Sequence, residues 1–128
     1  MEGLMFLDTH AVVWLYAGEV DRFPPRARHG LEHEALFISP IVLLEMQYLF
    51  ELTRISQSPA VMLKALEKSL GLATHSEDFE RLMIAALEES WTRDPFDRII
   101  TAHARLDSAP LLTKDASIRQ HYRQVIWD

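Results

Sequence analysis

The 128-residue sequence contains no cysteine, which excludes disulfide staples, thiolate metal sites and a cysteine nucleophile. Glycine is scarce as well, with four in the chain. None of the patterns G-x-G-x-x-G, G-x-x-x-x-G-K-[ST] and G-x-S-x-G occurs, so dinucleotide, P-loop and nucleophile-elbow sites have no basis. Long apolar runs are missing too: Leu4 to Leu7 is too short for a signal-peptide core, and the longest apolar stretches elsewhere are broken by Glu45 and Glu51. No segment is expected to span or target a membrane, and the expected location is the cytoplasm.

Positive charge is in deficit. The net charge of −6 argues against a large basic face for nucleic acid. The deficit is uneven, however: residues 1–90 carry 7 Lys and Arg against 14 Asp and Glu, whereas residues 91–128 carry 6 against 5. A local basic patch in the C-terminal part is compatible with this. The six histidines, at 10, 29, 33, 75, 103 and 121, form no H-E-x-x-H motif, and none is assigned a ligand role.

With 48% hydrophobic and 25% charged residues, no repeat and no low-complexity tract, residues 1–128 read as a single globular domain. Short apolar runs at residues 4–7, 35–39, 72–75, 110–113 and 124–127 predict strands. Helices are predicted between them. The first runs from Asp8 to a stop at Gly18, and Ser39-Pro40, Ser58-Pro59 and Asp94-Pro95 each pair a capping oxygen with proline at the first helical position. Ser76 is expected to cap a further helix with Glu77 and Asp78 in its first turn, and Lys114-Asp115 leads into a short one. Alternating apolar strands and helices predict a three-layer α/β/α sandwich with a central parallel sheet of about five strands. In such sheets ligands bind beyond the carboxyl ends of the strands, where the chain reverses its direction across the sheet.

Most acidic residues fit a solvated role: Glu2, Glu19, Glu32, Glu34, Glu77, Asp78, Glu80, Glu88 and Glu89 lie in polar surroundings or helix first turns. Glu45 differs. In "PIVLLEMQYLFEL" its neighbours three and four positions away are Ile41, Val42, Tyr48 and Leu49, so its carboxylate falls on an apolar stripe, where a charge is costly unless paired. It is a surface glutamate on a helix apolar nearly all round, a partner salt-bridged to an arginine, or a carboxylate pointed at a cation. Asp8 and Asp115 stand at strand ends, and each alone could be a plain helix cap. Together with Glu45 they make a cluster that repels itself unless a cation is bound, and all-oxygen donors point to Mg²⁺ or Mn²⁺ rather than Zn²⁺. Asp94 reads as chiefly a cap. Asp97, three residues on, heads a stripe continued by Ile100 and Ala104.

The ordered motifs "FLDTHAVVW", "ISPIVLLE", "RDPFDRIITAHA" and "LLTKDASIR" resemble the PIN domain, and within it the VapC-like toxins of bacterial type II toxin-antitoxin pairs. The resemblance covers nearly the whole chain, with roughly residues 53–90 contributing little. It implies an acidic quartet of Asp8, Glu45, Asp97 and Asp115 that binds Mg²⁺ or Mn²⁺ and cleaves RNA, with Thr113, Asp94 and Thr9 as auxiliary residues. It also implies a homodimer and a cognate VapB-like antitoxin that inserts a basic segment into the acidic pocket. One or two divalent ions would polarise the scissile phosphate and lower the pKa of a water. Arg93, Arg98, Lys114 and Arg119 are weak candidates for RNA phosphate contacts, since each fits a solvated charge better. Trp14 and Tyr16 could stack a base but fit the core better. Two rivals remain: a catalytically inactive PIN-fold binding module, against which the intact quartet argues, and a receiver-like signalling domain. The receiver lacks support because Thr74-His75-Ser76 stands where the phosphorylatable aspartate belongs.

Overall fold

The structure, a computed structural model, describes residues 3–128; Glu2, expected to be solvated, lies outside them. Five short parallel strands form one sheet. They are β1 (Leu4–Leu7), β2 (Ala35–Ile38), β3 (Ala73–Thr74), β4 (Leu111–Leu112) and β5 (Val125–Ile126). Each falls inside a predicted apolar run. The connections are helical: α1 (Thr9–Tyr16) and α2 (Pro25–His33) precede β2, and α3 (Ile41–Glu51) and α4 (Pro59–Leu70) precede β3. Then α5 (Phe79–Leu87) and α6 (Pro95–Leu106) lead to β4, and α7 (Ala116–His121) leads to β5. Parallel neighbours need such crossovers, and the result is the expected α/β sandwich.

The strand order is β3-β2-β1-β4-β5. The chain steps outward from β1 to β2 and β3, then returns to lay β4 on the other side of β1. That reversal lies between β1 and β4, in register at Leu7 and Leu112, so the crevice of an open sheet opens just past Asp8 and Thr113. This order also differs from the 2-1-3-4-5 arrangement of flavodoxin-like folds, which removes the receiver reading.

Burial explains the strands. Phe6, Leu7, Ile38, Leu111 and Leu112 are at most 1% exposed, as residues covered on both faces of a parallel sheet must be. A smaller apolar cluster of Leu82, Ala86 and Ala102 holds α5 against α6. Helix ends follow the expected chemistry in part. The Ser58 hydroxyl accepts from the Val61 amide, and Asp94 accepts from the Phe96 and Asp97 amides. Gly71, at φ 70°, ends α4 in the left-handed conformation that only glycine adopts cheaply.

Two expected caps fail. Ser39 makes no capping bond to α3, because its hydroxyl is engaged by His103. Helix α5 is capped by Asp78 rather than Ser76, so Glu77 and Asp78 precede the helix instead of occupying its first turn. Helix α2 has no counterpart in the predicted elements; its polar sequence buries only Ala27, Gly30 and Leu31.

Candidate active site

Asp8 leaves the end of β1 and caps α1. One carboxylate oxygen accepts from the Thr9 amide at 2.7 Å and the other from the Thr113 hydroxyl at 2.6 Å, across the β1–β4 crevice. Asp115, two residues past Thr113, caps α7 by accepting from the Ile118 amide at 2.9 Å, and its own amide donates to the Thr113 hydroxyl at 3.0 Å. Thr113, fully buried, thus ties the two aspartates to one another. Glu45 reaches in from α3, and its partner is the Thr9 hydroxyl rather than an arginine. Asp97 enters from the first turn of α6, with Ile100 and Ala104 buried behind it. The four carboxylates of the expected quartet and Asp94 all line one open cleft of about 330 Å³.

The electrostatics of this cleft are unbalanced. Burial pushes the Asp97 carboxyl up to about 7, and the negative charges of Asp94, Asp8, Asp115 and Glu45 add to the shift. Burial likewise drives Glu45 up to about 7, aided by Asp8 and Asp94, although the Thr9 hydrogen bond opposes it. Among the described residues, no lysine or arginine is ion-paired to any of the four. Hard oxygen donors in a partly desolvated cleft with surplus negative charge suit a divalent cation of the Mg²⁺ or Mn²⁺ class.

Other sequence candidates fall elsewhere. Arg93 donates to the Ser90 carbonyl, Arg98 to the Thr92 carbonyl, and the Lys114 ammonium stands 5.6 Å from the centre of the Trp14 ring. Neither these three nor Arg119 lines the cleft. The cation that does is Arg54, from the α3–α4 loop, in a region where the sequence motifs are silent. His10 is a second addition. Its Nε2 accepts from the Lys114 amide at 3.0 Å, while its Nδ1 faces Asp8 at 3.5 Å. Burial holds its pKa below the usual value against the pull of Asp8 and Asp115. It stands two residues past Asp8, in the first turn of α1. Trp14 lines the cleft but packs on Phe23 and Trp127. Tyr16 lies outside the cleft.

Glu89 corrects the solvated reading. It is 2% exposed, accepting from Arg105 at 2.8 Å and from the Trp91 indole at 2.8 Å.

Comparison with known proteins agrees with this geometry. The chain is 29% identical over 120 residues to Ribonuclease VapC22 of Mycobacterium tuberculosis, covering 91% of each chain. Its fold resembles VapBC2 from Rickettsia felis bound to a promoter DNA fragment (TM-score 0.62, 20% identity, 98% and 99% of the two chains). It also resembles VapBC-1 from nontypeable Haemophilus influenzae (TM-score 0.59, 18% identity, 98% and 96%). The PIN domain family model matches residues 5–124, and with the β1–β4 crevice and its carboxylates in place, the chain belongs to the PIN domain family.

Proposed function

We propose that this protein is a divalent-metal-dependent endoribonuclease, the VapC-like toxin of a type II toxin-antitoxin pair, acting in the cytoplasm. The observation that carries the reading is the convergence of Asp8, Glu45, Asp97 and Asp115, from four separate segments, on one cleft without an ion-paired lysine or arginine. The ribonuclease relative supplies the substrate class.

Asp8, Asp97 and Asp115, with Glu45, would hold Mg²⁺ or Mn²⁺, which when bound supplies Lewis-acid polarisation of a phosphodiester and a more acidic water. The protein's own part is positioning. Thr113 and the Thr9 amide fix both oxygens of Asp8, so the carboxylate is held before substrate arrives. Glu45, held by the Thr9 hydroxyl at the cleft wall, would help hold the ion or orient a water beside it. Asp94 sets the start of α6 and therefore where Asp97 points. Arg54 lies at the cleft wall, where a guanidinium matches a phosphate.

The relatives' toxin-antitoxin assemblies support a VapB-like partner, and the negative cleft suits a basic inserted segment. Leu44, Tyr48, Ile84 and Leu87 are each more than half exposed on the outer faces of α3 and α5, which supports contact with an antitoxin and with a second copy of the chain.

The deciding experiment incubates purified protein with cellular RNA in Mg²⁺ or Mn²⁺, with and without chelator. Cleavage confined to the chelator-free lanes is expected; equal cleavage in chelator defeats the metal mechanism.

A further inference from the structure

A second group of ligating atoms sits at the C-terminal end of α6, away from the cleft, and nothing in the proposed reaction uses it. His103 and Asp107 are four residues apart, one turn of helix, and the segment after β3 brings His75 against them. His103 lies six residues beyond Asp97, about 9 Å of helical rise.

The group is walled by aromatic rings. Phe6 stands 4.9 Å from the His103 ring and 5.3 Å from the His75 ring, and Phe37 meets His75 edge-on at 5.2 Å. His103 is fully buried, whereas His75 and Asp107 keep side-chain exposures of 27% and 22%.

Asp107 Oδ2 stands 3.4 Å from His75 Nδ1 and 3.7 Å from His103 Nε2, and all three atoms lie within 4.8 Å of one another. Those distances exceed hydrogen-bond length. Each of the three atoms is buried and has no hydrogen-bond partner. Three orphaned polar atoms facing one another are costly. The spacing has a chemical match: ligand atoms 2.0–2.1 Å from a tetrahedral zinc stand about 3.4 Å from each other.

The surroundings of His103 fit the same chemistry. Its Nδ1 is 2.8 Å from the Ser39 hydroxyl. With Nδ1–H donated to Ser39, the Nε2 lone pair points at a carboxylate oxygen, which is repulsive unless a cation stands between them. Ligating histidines are characteristically held in this way by a partner on the other ring nitrogen. The opposite tautomer aims Nε2–H at Asp107 across 3.7 Å, beyond a useful bond.

We propose that His75, His103 and Asp107 bind one borderline transition-metal cation, Zn²⁺ by donor set and spacing, with a fourth position reached from solvent beside His75 and Asp107. Two imidazoles and a carboxylate select such a metal, while the all-oxygen cleft selects Mg²⁺ or Mn²⁺. The site fastens the chain after β3 to the C-terminal end of the helix whose other end carries Asp97. It stands independently of the proposed ribonuclease activity.

The test uses the whole chain, stripped of metal and titrated with Co²⁺ as a spectroscopic probe. One equivalent should give the intense visible bands of four-coordinate cobalt, displaced by equimolar Zn²⁺, and the bands should persist in Asp97→Asn. They should vanish in His75→Gln and Asp107→Asn, which alter partly exposed side chains and should keep the wild-type circular dichroism. Zn²⁺ affinity in those variants should fall by more than the roughly 10- to 100-fold that loss of a supporting contact costs, and Ser39→Ala should fall within that range. Only weak six-coordinate bands in the wild type would overturn the proposal whatever the variants do. So would bands lost in Asp97→Asn, or bands unchanged in both His75→Gln and Asp107→Asn.

Discussion

Glu89 in its buried pocket and Glu45 and Asp97 in the cleft all lose water, yet their proton affinities move in opposite directions. Burial raises the proton affinity of Glu89, but hydrogen bonds from Arg105 and Trp91, together with the arginine's charge, overcome it, and its pKa ends below the usual range. Asp97 and Glu45 are half-buried among further carboxylates, with the Thr9 hydroxyl opposing the shift only at Glu45, and both rise to about 7. Desolvation alone therefore does not mark a functional acid. What separates the two regions is compensation: Glu89 is satisfied by its own chain, while the cleft leaves a negative surplus for something else to satisfy.

Removing a cleft carboxylate gives the largest expected effect. Asp97→Asn should lower metal-dependent RNA cleavage by at least on the order of 100- to 1,000-fold, while metal-free thermal stability stays equal or rises because repulsion is relieved. Single-turnover cleavage alongside melts in chelator checks both halves. Strong destabilisation without metal would place Asp97 with Glu89 as a structural group.

The reverse experiment on the compensated region should reverse the outcome. Glu89→Ala leaves Arg105 and the Trp91 indole without their acceptor and should cost about 2 kcal/mol of stability in urea. Cleavage per folded molecule should be unchanged.

pH separates the regions without mutation. The ordinary Asp value is 3.8, and Asp97 in the fold titrates at about 7, so between those limits the folded state holds more protons than the unfolded. The Asp97 contribution to metal-free stability should fall as pH rises from about 4 to about 7 and then level off. Glu45, moved from 4.5 to about 7, acts in the same direction. Mn²⁺ competes with those protons, so its stabilisation should be larger at pH 8 than at pH 5.5. Chemical denaturation across pH should show the slope flattened in Asp97→Asn and preserved in Glu89→Ala.

The smallest effect belongs to Asp94, which lines the cleft yet spends one oxygen on two backbone amides. Asp94→Ser keeps a cap and should stay within about 1 kcal/mol of wild type, whereas Asp94→Ala should lose about 0.5 to 2 kcal/mol. Most cleavage should survive Asp94→Ser. An inactive, well-folded Asp94→Ser would move this residue to the side of Asp97.

Much of the frame was legible because it is local. Leu4 to Leu7 is a continuous apolar run and forms a strand over those same residues. Asp94-Pro95 and Ser58-Pro59 start helices because a cap and a proline act within three residues of themselves. Helix α2 escaped because its buried face is three small or lone apolar residues in a polar string, with Gly30 pressed against Met5. Ser39-Pro40 misled for the opposite reason: the local cap was available, but His103, 64 positions away, takes the hydroxyl. In the same way Glu89 reads as solvated within "LEESW" until Arg105, 16 residues on, folds over it.

What the sequence determined by itself, then, is where the strands and most of the helices lie and which acidic residues end strands or head helices, since periodicity, capping and burial of short apolar runs are short-range effects. The tertiary structure alone decided who meets whom. The return of the chain from β3 to β4 puts Thr113 against Asp8 and leaves Arg54 rather than Lys114 at the cleft. It also closes His75 onto His103 and Asp107. Contacts between side chains dozens of residues apart depend on strand order and helix packing, which no local pattern encodes.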